Sequence, residues 1–127
     1  MKILKILLMV FFILVMVSCT LLNLNNPPTK PMVVSPKDGE TVYDISEVTL
    51  SWECNDADGD TLAYDVYFGT TQTPPLVKSG HTSKTYVVSG LENGKTYYWK
   101  IVAKDGKGGT AESNIWKFTS VILRKLK

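Results

Sequence analysis

From Val48 to Phe118 apolar residues recur at every second position, in short runs broken by turn-forming residues. Val48, Leu50, Trp52 and Cys54 alternate with Thr49, Ser51 and Glu53. Tyr64, Val66 and Phe68 alternate with Ala63, Asp65 and Tyr67, and Tyr97, Trp99, Ile101 and Ala103 with Tyr98, Lys100, Val102 and Lys104. Trp116 and Phe118 alternate with Ile115, Lys117 and Thr119. A period of two sends neighbouring side chains to opposite faces, so each run predicts a strand with one buried face. Asp38-Gly39, Asp56 to Asp60, Thr73-Pro74-Pro75, Glu92-Asn93-Gly94 and Asp105 to Gly109 separate the runs. Short strands with turn formers at this spacing predict an antiparallel sandwich or barrel. Its core is expected to hold Val48, Leu50, Trp52, Tyr64, Val66, Tyr86, Val88, Leu91, Tyr97, Trp99, Ile101, Trp116 and Phe118.

Two details narrow the fold. Trp52 points inward on the strand that precedes an acidic turn, and Leu91 is followed six residues later by Tyr97, then Trp99 and Ile101 at spacing two. From Pro31 to Ser120 the chain thereby resembles the fibronectin type III domain, an all-β, seven-stranded antiparallel sandwich of immunoglobulin-like type. The resemblance implies structural roles for Trp52, Leu91, Tyr97, Trp99 and Trp116, with the Tyr97 hydroxyl bonding back to the main chain at a corner. The first strand and Gly69 to Lys78, which carries two prolines, fit the pattern less well and suggest an irregular edge.

The N-terminus is patterned differently. Lys2 and Lys5 precede an unbroken apolar run from Ile6 to Val17, which ends at Ser18-Cys19. A basic start, a short apolar stretch and a small residue before the cut are the layout of an export signal. With a cysteine after the cut, the stretch resembles the lipobox of bacterial lipoproteins, although Met16 stands where leucine is usual. That resemblance implies removal of residues 1–18, lipid on Cys19, and a domain held outside the cytoplasm on the cell or outer membrane. An uncleaved anchor is the other reading, because Ile6 to Leu22 reaches the short limit of about 17 residues for a spanning helix. Residues 19–30, rich in Asn and Pro, then read as a tether, and twelve extended residues reach roughly 40 Å.

Charge changes the list of partners. The whole chain carries +2, but Lys30 to Ser120 holds nine lysines against twelve acids, so no basic footprint for nucleic acid is expected. Acids crowd Lys37 to Asp65 and lysines Val66 to Ser120, which predicts one acidic sheet and one basic sheet. Lipid on Cys19 leaves Cys54 unpaired and buried; a Cys19–Cys54 bridge is the alternative.

Candidate chemistry is sparse. Asp56, Asp58 and Asp60 could offer hard oxygens to calcium, yet an EF-hand counted from Asp56 would need glycine where Thr61 stands, and a solvated turn explains the same residues. Outward positions Tyr67, Tyr98, Lys100, Ile115 and Lys117 place aromatics beside cations, as protein interfaces do, or stiffen an exposed sheet by cross-strand packing. His81, the only histidine, lies in a polar stretch without a nucleophile or metal-ligand motif and is expected on a surface loop. The apolar, basic tail 121–127 is too short for an independent helix. No cofactor is implied. These features point to a non-catalytic, lipid-anchored envelope module for protein binding, adhesion or spacing. A calcium-dependent or carbohydrate-binding module is the alternative.

Overall fold

Strands form here because alternating apolar residues can be buried only on a pleated sheet that faces a second one. The computed structural model describes residues 24–43 and 46–123, together with Lys2, Ile3 and Lys5. Cys19, nearly all of the export-signal segment and residues 124–127 lie outside the described residues. Among the described residues nine strands are seen: β1 (Met32–Ser35), β2 (Glu40–Tyr43), β3 (Glu47–Glu53), β4 (Ala63–Gly69), β5 (Leu76–His81), β6 (Thr85–Ser89), β7 (Lys95–Lys104), β8 (Thr110–Glu112) and β9 (Trp116–Val121). One sheet runs β1-β3-β6; the other runs β2-β9-β7-β4-β5, with β8 also paired to β7.

The expected sandwich is present, and the extra strands have a local cause. The first strand divides at Pro36, which has no N–H for a ladder bond, and the chain crosses from the small sheet as β1 to the large sheet as β2. The last strand divides at Ser113, whose N–H donates to Ile101 O at 2.9 Å and whose hydroxyl accepts from Ile101 N–H at 2.9 Å. Joined across these breaks, nine strands become the expected seven. One pairing departs from antiparallel: β2 runs parallel to β9, from Glu40–Phe118 to Tyr43–Val121.

The core lies between the sheets. Leu50, Val66, Trp99, Ile101 and Phe118 are wholly buried, and Trp52 nearly so. Trp99 packs on Trp116 at 4.6 Å between ring centroids, Trp52 meets Tyr64 edge-on at 5.3 Å, and Phe68 stacks on Tyr97 at 5.2 Å. Each large apolar side chain so buried contributes about 1.5–3 kcal/mol. Tyr86, expected in the core, is only partly buried because β6 is an edge strand; Cys54 and Ala103 complete the interior.

Other expectations need correction. The acidic stretch does not build one sheet: Glu47 and Glu53 sit on β3, Glu40 on β2 and Asp65 on β4, which belongs to the opposite sheet. Lysines sit beside these acids on the same side of the sandwich, with Lys84 3.0 Å from Glu53 at the small sheet and Lys104 2.5 Å from Asp65 within the large one. Opposite faces of opposite charge therefore do not arise. His81 ends β5 rather than sitting in a loop. Its Nε2 donates to Thr85 O at 2.6 Å, and its ring stands edge-on to Tyr86 at 5.5 Å.

Residues 25–30 lie along the domain instead of reaching freely away from it. Thr29 N–H donates to Asn55 O at 2.7 Å, the Thr29 hydroxyl accepts from Asn55 N–H at 2.9 Å, and Lys30 Nζ reaches Asn114 Oδ1 at 2.6 Å. Pro28 and Pro31 are buried. A free tether is therefore shorter than the sequence suggests.

Candidate functional site

Three neighbouring strands carry the candidate binding surface. The inward residues of β7 are Tyr97, Trp99, Ile101 and Ala103, which forces Tyr98 and Lys100 to the outer face of the large sheet. Register sets their partners: Tyr67 of β4 lies opposite Lys100, and Lys117 of β9 lies opposite Tyr98. The Lys100 ammonium stands 4.8 Å above the Tyr67 ring and 2.5 Å from Glu112 Oε1. Such a cation–π contact contributes about 0.5–1 kcal/mol at an exposed site. Tyr98, Ile115 and Lys117 line a shallow groove of ≈ 290 Å³ with Asp38 and Gln72. Asp38 fixes one wall by accepting the Lys117 N–H at 2.9 Å. Tyr67 and Lys100 form a pair, and the other three residues form the groove.

The acidic turn is arranged otherwise than its sequence suggests. Asp56 Oδ1 accepts the N–H groups of Asp58 at 2.9 Å and Asp60 at 3.2 Å, a bond pattern that Asp favours in tight turns. Asp58 faces away and takes two hydrogen bonds from Asn26, from N–H at 2.7 Å and Nδ2 at 2.9 Å. The Asn26 side-chain amide, then its backbone N–H, hold the Asp58 carboxyl below the usual carboxylate range.

Asp105, from the loop between β7 and β8, takes its place. Its Oδ1 accepts from Lys107 N–H at 2.8 Å and Gly109 N–H at 2.9 Å, and its Oδ2 accepts from Asn25 Nδ2 at 2.7 Å. These donors, the Asn25 amide foremost, lower its pKa. A side chain at position 109 would meet Asp105 Oδ2 at 2.0 Å, so glycine there lets Asp105 keep this position. Lys107 reaches across to Asp60 Oδ1, which raises the lysine's pKa. The sequence signal for Asp105 was the run Asp105-Gly106-Lys107-Gly108-Gly109, whose approach to Asp56 depends on a pairing forty residues away in the chain.

Cys54 lies beneath this end of the sandwich. Its Sγ donates to Thr29 O at 3.1 Å, and burial pushes the thiol's pKa up, which suppresses the nucleophilic thiolate.

A sequence profile of the fibronectin type III domain matches residues 36–119. An amylopullulanase of Thermoanaerobacter thermohydrosulfuricus is 31% identical over 99 residues, which are 76% of this chain but 6% of that protein. The fibronectin(III)-like modules of Clostridium thermocellum CbhA superpose with a TM-score of 0.57 at 21% identity, covering 74% of this chain and 98% of theirs. The fibronectin type III domain of human fibronectin type III domain containing protein 3 gives 0.57 at 20% identity, over 80% of this chain and 93% of that one.

Proposed function

Because this chain belongs to the fibronectin type III domain family, we propose that it is a non-catalytic binding module, held at the cell envelope by lipid on Cys19. Domains of this family are typically non-catalytic modules of larger proteins. The observation that carries the binding reading is the convergence of Tyr67, Tyr98, Lys100, Ile115 and Lys117 on one outer face beside a groove. Aromatic and cationic side chains on an accessible sheet suit a protein partner with an acidic rim. Flat tyrosine rings also stack on sugars, and the match within an amylopullulanase supports a glycan as the second reading.

A chain beginning at Leu24 tests both. Capture of a partner from envelope extract should fall at least about tenfold in Tyr98→Ala/Lys117→Ala, with the melting temperature unchanged, since both positions face outward. Binding on a glycan array with the same sensitivity would select the sugar reading. Turnover of ester, phosphate or glycoside substrates by this chain would overturn the non-catalytic assignment. The anchor rests on the residues around Cys19. Intact mass of membrane-extracted protein is expected to show a lipid adduct and loss of residues 1–18, both abolished by Cys19→Ala. A mass that retains the leading segment selects the uncleaved anchor.

A further inference from the structure

The carboxylates at the end of the sandwich have more acceptor oxygens than the protein satisfies. One oxygen from each of Asp56, Asp60 and Asp105 lies within 4.8 Å of the others. The Asp60 side chain is 9% exposed, and its Oδ2 is buried without a hydrogen-bond partner. Asp56 Oδ2 is likewise buried and unpartnered. Asp56 spends its other oxygen on backbone N–H groups and Asp60 on Lys107, while Asp105 gives Oδ1 to backbone N–H groups and Oδ2 to the Asn25 amide. Two unused charged oxygens, one each on Asp56 and Asp60, therefore lie out of water within a cluster of three carboxylates, where mutual repulsion and lost hydration both count against them.

We propose that Asp56, Asp60 and Asp105 form a calcium site that bridges the loop between β3 and β4 and the loop between β7 and β8. Carboxylate oxygens are hard ligands and select hard cations. Calcium bonds of about 2.3–2.6 Å let two ligands of one ion stand up to about 5 Å apart, whereas magnesium, at about 2.0–2.1 Å, spans only about 4 Å. Backbone carbonyls and water complete calcium's six to eight oxygens. Lys107 is the competitor already in place, since its exposed ammonium neutralises Asp60 from the open side and can swing away. Asn25 binds Asp105 and Asn26 binds Asp58, so the ion also stiffens the joint between residues 25–30 and the domain.

This inference does not depend on the tyrosine face. It is tested on the full chain with terbium as a luminescent stand-in, because Tyr64 lines the same depression as Asp56 and Asp60 and can sensitise it. Saturable terbium emission should be displaced by calcium and not by equimolar magnesium. Calcium at about 100 times its Kd should raise Tm by several degrees. Asp60→Asn and Asp105→Asn should each remove both signals, while Asp58→Asn keeps them. Lys107→Ala should tighten calcium binding severalfold, a gain that no loss of folding can imitate. Absent terbium saturation, equal displacement by magnesium, or loss with Asp58→Asn but not Asp105→Asn would each overturn the site.

Discussion

The Tyr97 hydroxyl accepts the Glu92 N–H at 2.8 Å and closes the turn that leads into β7. Tyr97→Phe leaves that donor without a partner and should cost about 1–3 kcal/mol, read as a lower urea midpoint at unchanged slope. Ser120 presents the opposite case. It is wholly buried and its hydroxyl finds no partner, so Ser120→Ala removes an unsatisfied group without opening a cavity. It should stabilise the fold by about 1 kcal/mol, seen as a rise in the same midpoint. Sequence shows that Tyr97 points inward, because alternation alone decides that. It does not show that Asp58 turns to Asn26 while Asp105 joins Asp56 and Asp60, because those contacts span 32 and more than 40 residues and depend on how two loops meet.

At the level of elements, β5 is the vulnerable strand. Among the described residues it pairs only with β4, and its register shifts twice along that pairing. Asp65, buried on β4, compensates by accepting from the Ser79 hydroxyl at 2.9 Å and Gly80 N–H at 3.1 Å, with Lys104 of β7 at 2.5 Å. Burial pushes the Asp65 carboxyl's pKa up, but Lys104, Gly80 and Ser79 together outweigh it and hold the acid below its ordinary 3.8. A carboxyl depressed on folding stabilises the protein above its unfolded value, and that contribution is lost as pH falls through the folded value. Acidification below about pH 4 should therefore release β5 first, detected as early amide exchange in Leu76–His81. Asp65→Asn should weaken β5 at neutral pH and flatten this acid dependence. An irregular edge here was legible from Pro74 and Pro75. The divided first and last strands were not, because a sheet change at Pro36 and a break at Ser113 leave the period of two almost undisturbed.

For the whole molecule, alternation plus the placement of Trp52, Leu91, Tyr97 and Trp99 was enough to foresee a sandwich, since few architectures bury so many one-faced strands. Charge along the chain misled because successive strands exchange sheets, so a run of acids in sequence is scattered in space. The segment ahead of β1 reads as linker from its Asn and Pro content, yet it is part of the folded unit. A chain beginning at Pro31 should lose roughly 2–4 kcal/mol, from several hydrogen bonds at about 0.5–1.5 kcal/mol each. Its Cys54 should react faster with a thiol reagent, because Thr29 no longer covers it. Equal thiol reactivity in the two chains would show that the segment gives no protection.

The parallel pairing of β2 with β9 also sets how the protein carries load. A pull applied ahead of β2 and beyond β9 drags the two strands along their length in opposite directions. All the ladder bonds between Glu40–Phe118 and Tyr43–Val121 are then sheared together. Pulling instead on the ends of the antiparallel β4–β5 pair opens its bonds one after another. Single-molecule stretching should record one abrupt, high-force rupture in the first geometry and a low, gradual unzipping in the second. A module pulled by its two chain ends would thus be loaded along the direction in which it is mechanically strongest.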